Sequence, residues 1–326
     1  MTDYFSMQAQ GICAAVDVVE LEHERQPGCQ TPTTIVIGVA RSETQPLIDD
    51  AAFDLLLTTA KPWSRAWIQV DAEGMEAQLE LLRTAVSSIG LPAAVLAQVL
   101  RMARDMAVPD ALLLESFAFS TLLGGQAFRD WLGRRASHTL ASPGSRVRCA
   151  RDGEVLSIVL ANPSRRNAMD ALMRDELVGA LAAACDDPTL PTVLLRADGP
   201  DFSAGGDLAE FGVTTDLTQA HAIRSLRSPA RLIQTMAART TAFVHGACVG
   251  AGIEIPAAAG RVVATAGAQF WLPELAMGLI PGAGGTVTIA RRIGRQRLLC
   301  WALTGQHIDA LTAYQWGLID AVQDSA

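Results

Sequence analysis

Residues 245–260 read HGACVGAGIEIPAAAG, and residues 201–212 read DFSAGGDLAEFG. Both stretches place glycine and other small residues where a strand is expected to turn into a helix. The first turn of a helix has backbone N–H groups without partners and a positive dipole end. Two such turns that face one point would supply two N–H donors to a single oxygen, which is an oxyanion hole. Small residues suit this role because a ligand can then approach the backbone closely.

Strand and helix patterns alternate around these two turns. Helical periodicity predicts a helix over 169–187 with Asp170 as its N-cap, part of a helix over 230–238, and a buried helix that begins at 252–260. Apolar runs predict buried strands at 154–161, 192–197, 240–246 and 261–266. This βαβαβ order favours a layered α/β fold with right-handed crossovers.

A boundary between two regions is predicted at residues 138–153, HTLASPGSRVRCARDG, which are rich in Ser, Gly, Pro and Arg. The sequence therefore predicts a mainly helical N-terminal region over 1–140 and an α/β catalytic core over 146–326.

The N-terminal region combines two strand patterns with a long helical stretch. Strands are predicted at 33–40 and 66–70. Residues 74–135 are almost wholly helical in pattern, and Pro92 and Pro109 mark predicted helix starts.

Composition limits the class of protein. Of the 326 residues, 50% are hydrophobic and 18% are charged, and the net charge is −8. These values favour a globular fold and argue against a nucleic-acid partner, which needs clustered Lys and Arg. None of the six cysteines forms a CxxC pair, so free thiols are expected and no metal site is predicted. No signal peptide and no membrane-spanning run is recognised, so a cytoplasmic enzyme is expected.

Four motifs resemble the crotonase (enoyl-CoA hydratase/isomerase) superfamily, and they occur in that family's order over residues 146–325. They are LANPSRRNAMDALM (160–173), DFSAGGDL (201–208), VHGACVGAGIEIPAAAGRVVATAGAQFWLPELAMGLIPGAGGTVTIARRIG (244–294) and ALTGQHIDALTAYQWGLID (302–320). The resemblance implies a fold built as a repeated ββα spiral, an assembly that is a homotrimer or hexamer, and a site for acyl-coenzyme A.

The resemblance also implies catalytic residues. The oxyanion hole maps to the N–H groups of Gly206 and Ala251, where the family usually has glycine at the second point. The two glutamates of the family's hydratases map to Glu254 and Glu274. In those enzymes the second glutamate protonates Cα while the first helps to activate water. A carboxylate within an otherwise apolar stretch is costly, which favours a functional role for both.

Coenzyme A contacts map to the loop NPSRRNA and to the first glycine turn. Arg165 and Arg166 fall where family members bind coenzyme A phosphates, and Ala168 and Ala204 are also expected to bind coenzyme A. Arginine suits that task through charge-assisted hydrogen bonds, but a solvated pair of loop arginines is the alternative. No further cofactor is expected, because coenzyme A is part of the substrate.

Three other side chains have structural interpretations as well as functional ones. Asp207 is expected to cap a helix, and His245 is expected to pack or to hydrogen-bond. Trp271 is predicted either to line the acyl pocket or to belong to the core.

The stretch ALLLESFAFSTLLGGQAFRDWLGRR (111–135) resembles the family's C-terminal helices, which normally follow the core. The helices of 74–135 are therefore expected to pack where those C-terminal helices lie. The N-terminal region would then be a permuted part or a degenerate crotonase copy, and Arg134 and Arg135 would approach the coenzyme A site. An unrelated helical domain is the alternative.

The function that these residues favour is an acyl-CoA hydratase or dehydratase that works through a stabilised enolate. Other crotonase reactions, namely double-bond isomerisation, thioester hydrolysis and decarboxylation, use the same hole. A non-catalytic acyl-CoA-binding subunit is the alternative from another class. Two glutamates favour hydration, since isomerisation can work with one. The sequence does not identify the acyl group.

Overall fold

The computed structural model describes residues 13–23, 31–135 and 144–324. Residues 136–143, which include most of the first half of the predicted boundary, lie outside these ranges, so the division into two regions stays a prediction. Cys29 also lies outside them. The five cysteines within the described ranges are free thiols.

The N-terminal region begins with a four-stranded parallel sheet in the order β1-β2-β3-β4. Its strands are β1 (Ala15–Glu20), β2 (Thr34–Ala40), β3 (Leu55–Thr58) and β4 (Trp67–Gln69). The sequence predicted β2 and β4 but missed β1 and β3. The four residues of β3, LLLT, are all buried, and an apolar run this short does not by itself distinguish a strand from a helix.

Four helices follow this sheet. They are α1 (Met75–Ile89), α2 (Leu91–Ala103), α3 (Val108–Leu123) and α4 (Gln126–Arg134). Pro92 and Pro109 occupy the first turns of α2 and α3, as predicted, where a missing N–H has no cost.

The core contains a six-stranded sheet in the order β13-β10-β8-β7-β6-β5 and a three-stranded sheet in the order β12-β11-β9. The strands of the first are β5 (Val147–Asp152), β6 (Val155–Leu160), β7 (Thr192–Ala197), β8 (Thr240–Val244), β10 (Arg261–Thr265) and β13 (Ala321–Gln323). Those of the second are β9 (Ala247–Val249), β11 (Gln269–Trp271) and β12 (Ile308–Asp309).

Strand β5 lies within the stretch 138–153 that reads as a polar boundary, but inside the predicted core 146–326, and it pairs antiparallel with β6. It lies at the edge of the sheet with five of its six residues exposed, among them Arg148, Arg151 and Asp152.

The core helices are α5 (Ala171–Asp186), α6 (Leu217–Leu226), α7 (Pro229–Thr235), α8 (Ala251–Glu254), α9 (Gly285–Ile293), α10 (Arg295–Thr304) and α11 (Ala310–Trp316). Asp170 caps α5 as predicted, accepting the Met173 N–H at 2.7 Å. The buried helix expected at 252–260 is shorter than predicted. Helix α8 ends at Glu254 because Pro256 has no N–H to continue the helical ladder, and a 3-10 turn follows.

The N-terminal helices pack directly on the core, and one buried hydrophobic cluster runs through both. Helices α9 and α10 contact α1, α2 and α3. The Arg295 guanidinium donates to the Phe53 carbonyl at 2.7 Å, and Arg291 donates to the Met106 carbonyl at 2.8 Å. The helices of 75–134 are therefore part of the same packed body as the core.

Within the described residues, no single helix is long and apolar enough to cross a membrane. Two bent helix pairs, 72–103 and 108–134, pass that test by length and composition alone, with bends of 107° and 62°.

Candidate active site

The two glycine turns lie side by side. Ser203 and Cys248 form an isolated parallel bridge, in which the Val249 N–H donates to the Ser203 carbonyl at 3.0 Å. Gly206 and Ala251 each lie three residues beyond this bridge. Because the two segments run parallel at this bridge, Gly206 and Ala251 lie at the same end of the pair.

The N–H groups of Gly206 and Ala251 are free to bind a ligand. Among the described residues, neither N–H donates to an acceptor, although the flanking Asp207 N–H donates to the Met169 carbonyl. Gly206 and Ala251 line one cavity of about 710 Å³, a volume typical of small-molecule sites. Two unused N–H groups in one cavity are what an oxyanion hole requires.

Glu254 and Glu274 line the same cavity, and both approach Gly250. A Cβ atom built on Gly250 would lie 2.2 Å from Glu274 Oε1 and 3.8 Å from Glu254 Oε1. Gly250 also has a positive φ of 47°, so both space and backbone conformation require glycine here. The two carboxyl groups therefore share the space directly beside the second glycine turn.

Glu254 is held by the loop that begins α9. Its Oε2 accepts the N–H groups of Ala283 and Gly285 at 2.8 and 2.9 Å, whereas its Oε1 accepts no hydrogen bond from the described residues. Burial raises the pKa of Glu254 to about 7, although the two N–H donors oppose this shift. The group can therefore exchange a proton near neutral pH.

Glu274 begins a 3-10 turn directly after Pro273. Its Oε2 is enclosed and has no hydrogen-bond partner in the described part of the chain. Burial, reinforced by the Glu254 carboxylate, raises the pKa of Glu274 well above the usual value. This carboxyl group therefore favours its protonated form.

The N-terminal helices supply one side of the cavity. The lining residues from α3 and α4 and their connection are Phe119, Leu123, Gly124, Phe128 and Leu132. Arg135 donates to the carbonyl of Leu208, another lining residue, and its guanidinium lies 5.5 Å from the Trp131 ring centroid. This cavity is thus lined by residues from both the N-terminal helices and the core.

Glu115 of α3 is a buried site residue that the sequence interpretation missed. Its Oε1 accepts the Gly284 N–H at 2.8 Å, and its Oε2 accepts the Thr286 N–H and hydroxyl at 2.9 and 2.6 Å. Burial, followed by repulsion from Glu254, raises the pKa of Glu115 to about 8. The argument applied to Glu254, a glutamate within an apolar stretch, would have identified it.

The loop predicted to bind coenzyme A lies at the edge of this cavity, but its arginines face other partners. Arg165 pairs with Asp207 at 2.8 Å, and the half-exposed Arg166 pairs with Asp201 at 2.7 Å. Ala204 lines the cavity and donates its N–H to the Arg166 carbonyl at 2.8 Å. Ala168, Arg165 and Arg166 are not among the lining residues.

The remaining candidates have structural contacts. Asp207 accepts the Ala209 N–H at 2.9 Å and so caps a 3-10 turn, as expected. The His245 ring hydrogen-bonds to the Gly199 carbonyl at 2.9 Å, also as expected. Trp271 stacks on His307, with ring centroids 4.3 Å apart, and does not line the cavity.

No cluster of three or more His, Cys, Asp or Glu side chains suited to a metal ion occurs in the described ranges.

The profile of the enoyl-CoA hydratase/isomerase family matches residues 150–326. The chain belongs to this family. The 2,3-dehydroadipyl-CoA hydratase of Escherichia coli (strain K12) is 34% identical over 173 residues, which are 53% of this chain and 67% of that protein. The enoyl-CoA isomerase/hydratase fer4 of Mycosarcoma maydis is 33% identical over 177 residues, 52% of this chain and 65% of its own length. The chain thus spans about two thirds of these relatives.

The enoyl-CoA hydratase/isomerase fold is also found in the similar solved structures. The crystal structure of an enoyl-CoA hydratase from Thermoplasma volcanium GSS1 has a TM-score of 0.51 and 28% identity, over 56% of this chain and 73% of that one. The crotonase-like α/β fold inferred from the motifs is confirmed. The match covers 56% of the chain, which is about the length of the core.

Proposed function

We propose that this protein is an acyl-CoA hydratase or dehydratase that adds water across the double bond of an enoyl-CoA thioester. The observation that carries the proposal is the juxtaposition of two carboxyl groups with two unused N–H donors in one cavity. An enoyl thioester bound with its carbonyl oxygen on Gly206 N and Ala251 N would develop negative charge there, and the two N–H groups would stabilise it.

The pKa shifts of Glu254 and Glu274 favour a different role for each glutamate. Glu254, whose pKa is raised to about 7, accepts a proton from a water molecule whose oxygen bonds to the β-carbon. Glu274, whose pKa burial and Glu254 raise well above its usual value, holds the proton that passes to the α-carbon. Transfer of the captured proton from Glu254 to Glu274 restores the starting state, so the net change is the addition of one water.

Coenzyme A binding by the loop of Arg165, Arg166 and Ala168, with Ala204, is part of the same proposal. Its support is that Ala204 lines the cavity and is hydrogen-bonded to Arg166. The trimeric or hexameric assembly, the cytoplasmic location and the lack of a further cofactor stay predictions from the sequence.

The test is incubation with a panel of enoyl-CoA and 3-hydroxyacyl-CoA thioesters, followed by mass spectrometry. A gain or loss of one water supports the proposal. An unchanged mass with a shifted double bond identifies an isomerase, and release of free coenzyme A identifies a hydrolase. Binding without any conversion across the panel identifies a non-catalytic subunit.

A further inference from the structure

A second cavity of about 380 Å³ adjoins the first, and arginine dominates its charged lining. Arg174, Arg224, Gly282 and Ala283 line both cavities. The Ala283 N–H binds Glu254, so this second cavity lies one residue from the proposed catalytic carboxylate. The space beside the glutamates therefore continues toward a cluster of guanidinium groups.

Arg224 lines both cavities, and within the described residues it has no carboxylate partner. Its Nη2 donates to the Ser120 hydroxyl, and its Cζ lies 4.6 Å from the Phe119 ring centroid. Its Nε is enclosed without an acceptor, and its Nη1 donates to no described residue. No carboxylate in the described ranges forms an ion pair with it.

Glu115 is the acidic neighbour of Arg224, and its charge opposes the lowering of the Arg224 pKa by burial, but the two side chains form no ion pair among the described residues. Glu115 is the one carboxyl group among the residues that line the second cavity, and both of its oxygens already accept donors from the α9 loop. Arg227 and Arg231 line the same cavity and are exposed. Burial lowers the pKa of Arg224 to about 10, so the guanidinium stays protonated at neutral pH. A partly buried cation with unused donors is suited to an anionic ligand.

We infer that Arg224 binds a carboxylate at the far end of the acyl group, and that the substrate is a coenzyme A thioester of a dicarboxylic acid. The inference rests on the proposed function for the position of the thioester. The acyl chain would run from the hole past Glu254 and Gly282, and its terminal carboxylate would reach Arg224. A coenzyme A phosphate has the same anionic chemistry, so the experiment separates the two sources.

The experiment measures binding by calorimetry with saturated thioesters, which cannot be hydrated. The probes are mono-CoA thioesters of C4, C6 and C8 dicarboxylic acids, each compared with the monocarboxylic thioester of equal length and with free coenzyme A. We expect the protein to bind at least one dicarboxylic thioester about 10-fold or more tightly than its neutral counterpart, which is the usual effect of a hydrogen-bonded charge.

The Arg224→Met variant should reduce this ratio to about one and leave the affinity for the neutral thioester within about 3-fold. Arg224→Lys keeps the charge but lacks the planar fork, so it should retain part of the preference. Arg261→Met removes an exposed arginine that lines neither cavity and should change nothing. Circular dichroism checks that each variant is folded. If a variant is not folded, the affinities of the unmodified protein for the dicarboxylic and neutral thioesters still test the inference.

Three results would overturn the inference or its basis, and they are distinguishable. Equal affinity for charged and neutral acyl groups at every length rejects a carboxylate site and leaves the hydratase proposal intact. Equal weakening of all thioesters and of free coenzyme A by Arg224→Met assigns the arginine to a coenzyme A phosphate. Failure of the unmodified protein to bind any thioester contradicts the proposed function itself.

Discussion

The N-terminal region and the core each contribute one buried glutamate, Glu115 and Glu254, that binds the loop 283–286. Glu115 and Glu254 accept alternate N–H groups of this loop. Glu115 has both oxygens occupied by donors, whereas Glu254 uses Oε2 alone and leaves Oε1 beside Glu274. Both glutamates are buried and both have a raised pKa, so the difference between them is the oxygen of Glu254 that accepts no hydrogen bond from the described residues. Under the proposed function, this oxygen suits Glu254 to proton transfer, whereas Glu115 fixes the loop.

The largest effect should come from the core glutamates. Glu254→Gln and Glu274→Gln keep the shape of the side chain but cannot exchange protons in the same way. Each should lower the turnover of a verified enoyl-CoA substrate by about 10²–10⁴-fold, the usual contribution of an acid or base. Binding of a saturated thioester should be mostly kept, because the hole N–H groups do not depend on these carboxyls. Steady-state kinetics and calorimetry measure the two quantities.

The exposed Glu73→Gln serves as the control for this pair and should match the unmodified protein. The double variant should lose less than the product of the two single losses, since groups that act as one unit are not additive. A near-normal rate in either single variant would assign that glutamate a structural role and would favour an isomerase or a binding protein.

Glu115→Gln should affect stability more than chemistry. The glutamine NH₂ group replaces one carboxylate oxygen that accepts hydrogen bonds from Gly284 or Thr286. Up to two buried donors therefore lose their acceptor, at a cost of ~1–3 kcal/mol each. We expect the free energy of unfolding in urea to fall by about 2–4 kcal/mol. Turnover should fall much less than in Glu254→Gln. If the variant instead lost activity to the same degree while its stability held, Glu115 would take part in the reaction.

The sequence predicted much of the core site because the motifs that resemble the family are short and local. The glycine turns, the glutamate three residues after Ala251 and the proline before Glu274 are short patterns that strand ends and helix starts bring together. The structure places Gly206, Ala251, Glu254 and Glu274 in one cavity lining, while their roles in the reaction stay predictions.

Long-range contacts account for what the sequence did not predict. Glu115 and Gly284 are 169 residues apart, and nothing near Glu115 indicates which loop it will bind. Arg224 likewise reads as an ordinary helix-end arginine until Phe119 and Ser120 of α3 enclose it. Strand β5 escaped recognition because an edge strand with exposed residues lacks the alternation that burial imposes.

The contact of the two regions at Gly282 provides a smaller test. A Cβ atom at this position would lie 2.2 Å from the Phe119 ring, so Gly282→Ala should lower stability by ~1–3 kcal/mol through overpacking. Combining it with Phe119→Ala should recover part of that loss, with a coupling energy of at least ~0.5 kcal/mol in a double-mutant cycle. If the losses in the free energy of unfolding were strictly additive, Phe119 of α3 would not contact Gly282 in solution.

The last test concerns pH and separates the buried Glu274 from exposed carboxyl groups. Burial raises the pKa of Glu274, so between the unfolded pKa near ~4.3 and the folded value the native state holds a proton that the unfolded state has lost. Stability from this group is therefore full at low pH and declines as pH rises through that window, by at most ~1.4 kcal/mol per pH unit.

Glu274→Gln lacks this term, so its stability relative to the unmodified protein should grow from pH 5 to pH 8. Urea midpoints at pH 5, 6.5 and 8 measure the difference, with Glu73→Gln expected to show none. A difference that stays flat over this range would mean that Glu274 titrates like an exposed carboxyl and does not hold the proton that hydration requires.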